Sequence, residues 1–392
     1  MQSEAIDTFE ASARRQRALS TRNHPYAATV LVNRLLTGPA SEKETRHLEL
    51  SLGWSGIQYL PGDSAGVIPE NRSEAVEEVL RLMGSTGDEP VTDFYGKALD
   101  LRKALTGWLM IGKLSISTVR GWAKLTGNAE LTALVSPKNK KNFEDFLWGR
   151  EFPDLAEQYP VNLEDPQQMF KLLPRLSPRL YSISSSQALY PDTMHLSVRV
   201  VQYESYGRKR QGVCSGQLGE RTPEGAVLPI FVHSNQLFRL PADMDAPVVM
   251  VGPGTGVAPF RAYLEHKEAG CGRWPMWLFF GEQRASQDFL YQDELLAWQK
   301  NGVLQRLDTA FSRDQKVKIY VQQRIREQSA ELWRWLEQGA YFYVCGDSQR
   351  MAPDVEAAVL EAVAVHSGRG AEYAVEYLAR MNEQKRYLKD VY

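Results

Sequence analysis

The sequence predicts a chain of mixed architecture: an antiparallel β-rich domain interrupted by a helical insertion, then a parallel, doubly wound α/β domain. Three observations carry this reading. Short alternating strand patterns run from Tyr26 to Pro69 and return over Arg179–His233. Helical periodicity fills the stretch between them. From Val248 onward, apolar strands alternate with amphipathic helices, which is the grammar of a parallel sheet covered on both faces.

The 392 residues (44.4 kDa) suit two or three domains rather than one core. Apolar residues make up 43% and charged residues 24%, the balance of a globular chain and not of a disordered one. With 46 Lys and Arg against 48 Asp and Glu, the net charge is −2. No global positive field exists to hold nucleic acid or an anionic membrane. Cys214, Cys271 and Cys345 lie far apart, without a CxxC or paired histidines. This spacing argues against a disulfide framework, a structural zinc or an iron–sulfur cluster, so no metal is expected and a reducing compartment fits. The N-terminal stretch lacks an apolar h-region, and no run approaches a membrane span. A cytoplasmic location is the expectation.

Residues 1–22 read as a short polar helix or arm whose Arg14, Arg15 and Arg17 form a solvated face. YAATVLVNRLL from Tyr26, RHLELSL from Arg46 and GIQYLPGD from Gly56 read as antiparallel strands, ending in the turn chemistry of Pro61–Gly66. The period becomes helical from about Ser73, and Gly84 makes a plausible cap for the first helix. Further helices are expected around Leu99–Leu105, Ser117–Leu125, Lys141–Leu147 and Pro166–Leu173. Strands return at Arg179–Ser184 and His195–Tyr203, followed by a polar glycine-bearing loop at Gly207–Gly219 and a strand at Ala226–His233. After a linker at Pro241–Pro247 come strands at Val248–Gly252, Met276–Gly281, Leu304–Ala310 and Tyr341–Cys345. The helices between and after them run to His266, over Glu294–Lys300 and Ala330–Gln338, and lastly over Met351–Ser367.

Several stretches carry chemistry. VVMVGPGTGVAPFR (Val248–Arg261) sets Gly252, Gly254 and Gly256 between a buried strand and a helix. Such a turn brings bare amides and a helix N-terminus to a phosphate. It departs from GxGxxG, so a plain tight turn is the competing reading. Thr255 could add a hydroxyl. SRDQKVKIYVQ follows the third strand of the α/β domain. It offers Ser312, Arg313 and Lys318 to phosphates, Tyr320 for stacking and Gln322 as an amide, or it is an ordinary charged loop. Glu282, after the second strand, is a rival indicator for NAD over NADP. RLYSISSS (Arg179–Ser186) and GVCSGQL (Gly212–Leu218) are two anion-compatible segments in the β-block, and FAD is the natural candidate for a second dinucleotide there. Cys345 is either a structural core thiol or lines a nicotinamide pocket. Asp354 either favours its helix dipole or serves a ligand. The chain stops at RYLKDVY, with an acid two residues before a terminal aromatic.

These motifs, in this order, resemble the ferredoxin–NADP reductase-like half of the diflavin reductases, and within that family the flavoproteins of NADPH-dependent sulfite reductases. The resemblance spans residues 24–392. It implies an antiparallel FAD-binding β-barrel (24–72 and 175–240), a helical connecting domain (73–174) and a Rossmann-like NADP-binding domain (241–392), after an arm at 1–23. It further implies that Arg179, Leu180, Tyr181 and Ser182 hold FAD together with Ser197, Val198, Arg199 and Tyr203. Gly212, Val213, Cys214 and Ser215 would cradle its phosphates, and Ser115 falls at a further FAD position. Gly254, Thr255, Ser312, Arg313, Lys318, Tyr320, Gln322 and Asp354 would bind NADPH. Tyr392 would cover the flavin ring until nicotinamide displaces it, and Ser182, Cys345 and Asp390 would assist hydride transfer. Two departures stand out. Residues 1–23 are too few for the family's FMN module, so the chain lacks it by nature or is part of a longer protein. The GVCS segment also continues as Gly216-Gln217-Leu218, with few apolar contacts for an adenosine. The expected partner is then a separate FMN-containing flavodoxin-like protein or a sulfite reductase haemoprotein. The alternatives are a general flavodoxin or ferredoxin reductase, and a non-catalytic nucleotide-binding scaffold.

Overall fold

The computed structural model describes residues 20–53 and 55–392; the basic cluster of Arg14, Arg15 and Arg17 lies outside them. Strands β1 (Tyr26–Leu35), β2 (Glu44–Ser51) and β3 (Ser64–Val67) come first. They are followed by β4 (Pro90–Thr92), β5 (Ala98–Asp100), β6 (Arg179–Ser182), β7 (Thr193–Val200), β8 (Gln202–Ser205), β9 (Arg208–Gln211) and β10 (Val227–His233). A second set comprises β11 (Val248–Val251), β12 (Met276–Glu282), β13 (Arg306–Phe311), β14 (Tyr341–Gly346) and β15 (Tyr387–Val391). The chain divides into two compact units, one of residues up to 66 with 180–199 and 222–392, the other of 67–179 with 200–221.

In the first unit, six strands run in the order β6-β3-β10-β1-β2-β7. An antiparallel bridge from Ile183 to Leu196 joins the two ends of that order and closes the sheet into a barrel. Alternation explains its inside: Ala28, Val30, Leu48, Leu50, Leu196 and Ile230 are all fully buried. The PGD turn is a pin. Gly62 holds φ +95°, where a Cβ would overlap the Phe238 carbonyl. The buried Asp63 carboxylate accepts the Leu60 and Asn235 amides and pairs with Arg239. The Asp63 carbonyl accepts the Ile183 amide at 3.0 Å, which fixes β6 against the turn.

The same unit holds a five-stranded parallel sheet in the order β13-β12-β11-β14-β15. Val249, Val251, Trp277, Phe279, Phe342 and Val344 point to one face, while Val248, Met250, Leu278, Phe280, Tyr343 and Cys345 point to the other. Both faces are covered by helices, so the strands read as continuous apolar runs. Two findings differ from the sequence expectation. A helix at Val321–Glu327 precedes the one at Ser329–Glu337. The helix at Met351–His366 is not the last, since Gly370–Glu383 and then β15 follow it. Burial of Ala374, Leu378 and Met381 along the core side makes that late helix part of the domain.

The second unit packs short helices around Trp122, whose indole donates to the Tyr159 carbonyl at 2.9 Å and meets Phe152 edge-on. The hairpin β8–β9 belongs to this unit, although sequence assigned it to the barrel. Arg210 carries it there, bonded to Glu151 at 2.9 Å and Asp154 at 2.6 Å with all three buried, and Arg208 adds Glu78 and Glu157. The loop expected over Gly207–Gly219 is a correction: after the hairpin, residues Val213–Glu220 form a helix. Cys214 through Gly219 are all buried, so no polar face gave the sequence a helical period.

Within the first unit, barrel and parallel sheet meet along a buried polar seam. Arg261 donates to the Ser184 carbonyl at 2.7 Å and pairs with Glu265 and Glu294. His47 meets Tyr291 at 2.9 Å, and Tyr291 meets Ser197 at 2.6 Å. Burial, helped by the charges of Arg261 and Arg34, pushes His195 down to about 3, and burial with Arg261, His195 and Arg34 takes His47 to about 2. Burial takes His266 to about 4 and moves Glu265 the other way, to about 7. Below the ordinary histidine value of 6.5, unfolded chains take up protons that these three folded rings refuse. Glu265 opposes this between about pH 7 and 4.5, but one carboxyl is outweighed by three imidazoles. Stability is therefore expected to fall as pH drops from about 6.5 toward 4.5, by roughly 3 kcal/mol per pH unit at most. In urea unfolding across this range, His195→Gln should flatten the slope by about 1.4 kcal/mol per unit. An unchanged slope would remove the seam from the acid response.

Candidate functional site

The strand order of the parallel sheet reverses between β11 and β14, the crevice where doubly wound sheets receive ligands beyond their carboxyl ends. After β11 the chain makes a tight turn (Gly254–Val257) into the helix Ala258–Glu268. Gly254 sits at φ +57°. A Cβ on Gly256 would overlap the Cys345 carbonyl, and one on Gly252 would strike the Gly256 carbonyl and the Phe260 ring. Close backbone approach therefore demands these glycines, and the turn is a cradle of bare main chain beside the end of β14.

Across the crevice mouth, parallel pairing of β14 with β15 sets Cys345 opposite Asp390. The Ser182 hydroxyl, from β6 of the barrel, donates to Asp390 Oδ2 at 3.0 Å. The sequence brought these three residues together only through resemblance; the fold places them in one cluster. Burial raises the Asp390 carboxyl above its ordinary value, against the Ser182 hydrogen bond and the charge of His233. Burial also pushes the Cys345 thiol far up, with the Asp390 charge adding to it, so Cys345 is no thiolate nucleophile. Tyr392 closes the group. Its main chain is held by a bond to the Gly346 carbonyl and another from Ser348, while its phenol meets the Thr255 hydroxyl at 3.0 Å. As a whole residue Tyr392 is 66% exposed.

The loop after β13 starts from a fixed point, because the Ser312 and Arg313 amides donate to the Glu282 and Gln283 carbonyls. Ser312 is buried, whereas Arg313, Lys318 and Tyr320 are exposed. Arg313 pairs with Glu42 from the barrel. Gln322 donates to Asp354 Oδ2 at 2.9 Å, so two residues predicted separately form one pair. The amides at the start of the helix Met351–His366, which carries Asp354, donate instead to Asp347, a residue the sequence did not single out. Glu282, the rival indicator for NAD, is buried and bound to Lys43 at 2.6 Å. That carboxylate is not free for a ribose.

On β7, Val198 is wholly buried and the Ser197 hydroxyl is taken by Tyr291, so of the three neighbours only Arg199 presents its side chain to solvent. Leu180 is exposed, and Tyr181 half-buried. The remaining predicted residues, Ser115, Arg179, Tyr203 and Gly212–Ser215, belong to the second unit. There Gly212 opens the helix Val213–Glu220, and a Cβ on it would crowd Ser215 Oγ and Val201. The anion site suggested at GVCS is thus a helix N-terminus rather than a loop nest. Ser215 Oγ accepts the Val201 amide at 3.1 Å, and Cys214 is buried. Ser115 caps the helix Ile116–Thr126, accepting the Thr118 amide at 3.0 Å, which commits its hydroxyl locally.

Residues 19–110 and 123–216 match the FAD binding domain, and residues 250–357 match the oxidoreductase NAD-binding domain. Both domains are thus present in this chain. It is 45% identical over 373 residues to the sulfite reductase [NADPH] flavoprotein alpha-component of Bacillus subtilis, covering 95% of this chain and 62% of the relative. The proteins of the same name from Cronobacter sakazakii and Salmonella typhimurium are 45% and 44% identical over 372 residues, with 61% of each covered. The chain thus spans about three-fifths of the length of these relatives. No helix among the described residues is long and apolar enough to cross a membrane.

Gly256→Ala forces the turn away from β14 and is expected to cost roughly 1–3 kcal/mol in chemical denaturation, with weakened dinucleotide binding in calorimetry. Wild-type stability and affinity in that variant would show that the turn tolerates a side chain.

Proposed function

We propose that the protein is an NADPH-dependent FAD reductase that passes electrons to a separate acceptor. One observation carries the reading: Ser182, Cys345 and Asp390 converge from barrel and parallel sheet beside the glycine turn, under a terminal tyrosine. The residues present suit both groups. Gly252–Gly256 and the following helix start would take the pyrophosphate of the nicotinamide dinucleotide. Ser312, Arg313 and Lys318 would take a 2′-phosphate, with Tyr320 against the adenine. In the first unit, Leu180, Tyr181, Ser182 and Arg199 would serve FAD; in the second, the amides at Gly212–Ser215 suit a phosphate. When bound, FAD supplies the chemistry that accepts a hydride from NADPH and releases electrons singly.

The chain's own residues orient and shield. Ser182 keeps its hydroxyl aligned by donating to Asp390, and the half-buried Asp390 would hold a charge or proton beside it. Cys345 stays a neutral, polarisable wall. Tyr392 covers the crevice until a nicotinamide ring takes its place. The relatives are named as alpha-components of sulfite reductase, which supports a haemoprotein subunit or an FMN-containing flavodoxin-like protein as acceptor. A cytoplasmic setting supplies NADPH to such a reaction. A general flavodoxin or ferredoxin reductase outside sulfur metabolism is the second reading. Capture of a haem-containing sulfite reductase subunit from solution separates the two.

Purified protein reconstituted with FAD should show a flavin band that NADPH bleaches without oxygen, and should reduce ferricyanide. A protein that stays colourless, or is not bleached, returns the reading to a scaffold. In stopped flow, Asp390→Asn should slow bleaching about ten- to a hundredfold while the flavin spectrum is retained. Deleting Tyr392 should narrow the NADPH/NADH preference by changing KM and turnover for NADH; identical kinetics for both nucleotides would end its shielding role.

A further inference from the structure

The turn that receives phosphates faces a carboxylate. Glu282 ends β12 with its side chain only 3% exposed. A Cβ placed on Gly254 would lie 3.3 Å from Glu282 Oε1, so this oxygen borders the glycine cradle. Its partner Oε2 accepts the Gln283 amide at 2.8 Å and the Lys43 ammonium at 2.6 Å. An uncompensated carboxylate there would repel a pyrophosphate through a poorly screened medium.

Lys43 does not come from the parallel sheet. It lies on the barrel, in the loop from β1 to β2, and the loop is held onto the segment after Glu282 by several bonds. The Gly38 amide donates to the Gln287 carbonyl at 2.7 Å and the Ala40 amide to the Gln287 side chain at 3.0 Å. Ser41 donates to Asp288, and Glu42 pairs with Arg313 and Arg284. This anchorage gives the ammonium a set position at 17% exposure, unlike an ordinary surface lysine.

We propose that Lys43 is a charge-compensating residue for dinucleotide binding, supplied by the barrel to cancel Glu282 at the phosphate turn. The inference rests on the dinucleotide reading above and deepens it. The pair borders the part of the ligand common to NADPH and NADH, so it sets affinity for both and leaves their ratio alone. It also makes the nucleotide turn dependent on the barrel loop lying in place.

The test is a double-mutant cycle on FAD-reconstituted protein, reading Kd for NADP+ and NAD+ by calorimetry and Ki for 2′-AMP, which lacks the pyrophosphate. Lys43→Met should raise both dinucleotide Kd values about tenfold or more and leave the 2′-AMP Ki unchanged. Glu282→Gln, which frees the ammonium, should bind dinucleotides as tightly as wild type or a few-fold tighter. The double variant K43M/E282Q should return to within about threefold of wild type, and Lys43→Arg should rescue binding without it. A double variant as weak as K43M, or a K43M protein that binds like wild type, overturns the proposal. Loss of 2′-AMP affinity in K43M would equally overturn it, because the loop rather than the charge would then be responsible. Wild-type protein that binds no dinucleotide at all brings down the functional reading itself, a different failure.

Discussion

Burial of the Arg261 guanidinium is the constraint on which the site depends. The side chain is 5% exposed, and desolvation works against its charge. Glu265 at 2.7 Å, Glu294 at 2.6 Å and the Tyr291 ring at 4.8 Å more than compensate. A buried ion cluster of this kind is poor evidence for stability, since apolar side chains of similar volume often hold a fold as well. Its value is positional. Arg261 lies on the helix that leaves the glycine turn, and its donation to Ser184 reaches the barrel strand segment two residues beyond Ser182. Each partner lost would leave a charge stranded, so the two sheets have one satisfactory registry. That registry puts the Ser182 hydroxyl 3.0 Å from Asp390.

Local pattern revealed the parallel sheet because its strands are buried on both faces and read as apolar runs such as Met276–Phe280. It revealed the glycine turn because only backbone fits against Cys345. It missed the helix at Val213–Glu220, where Gly216 and Gly219 lower the propensity and burial on all sides erases the period. The short helices at Phe152–Gln158 and Val321–Glu327 went unseen because two turns give periodicity little to count. Ser182 and Asp390 stand 208 positions apart, and Lys43 and Glu282 239 apart. No spacing rule connects such pairs. The first was reachable by resemblance, and the second has no signal beyond a lysine in a turn-rich loop.

Charge at the crevice is arranged by burial more than by pairing. Cys345 is held neutral by desolvation, and the same desolvation lifts the Asp390 carboxyl toward a state that can keep a proton. Ser182 opposes that lift, so the carboxyl sits between two influences instead of being locked by one. A group so placed changes its ionisation with small changes in what lies over it, and covering the crevice with a flat ring is the change the proposed reaction makes.

Tyr392 has the opposite character from Asp390 although only one residue lies between them. Asp390 is carried by β15, paired to β14 over its whole length, and cannot leave without breaking the sheet. The main chain of Tyr392 is held by two bonds, and its phenol bonds the Thr255 hydroxyl. A single hydrogen bond at an exposed site contributes about 1 kcal/mol net, a factor of roughly five in an equilibrium. Stacking of one aromatic ring on another is worth a similar amount. Under the proposed function, a competing ring that also brings phosphates to the glycine turn would displace Tyr392 at little loss of affinity, whereas a ring without that anchorage would not. The strand fixes the acid, whereas Tyr392 lies one residue past the last position paired to β14.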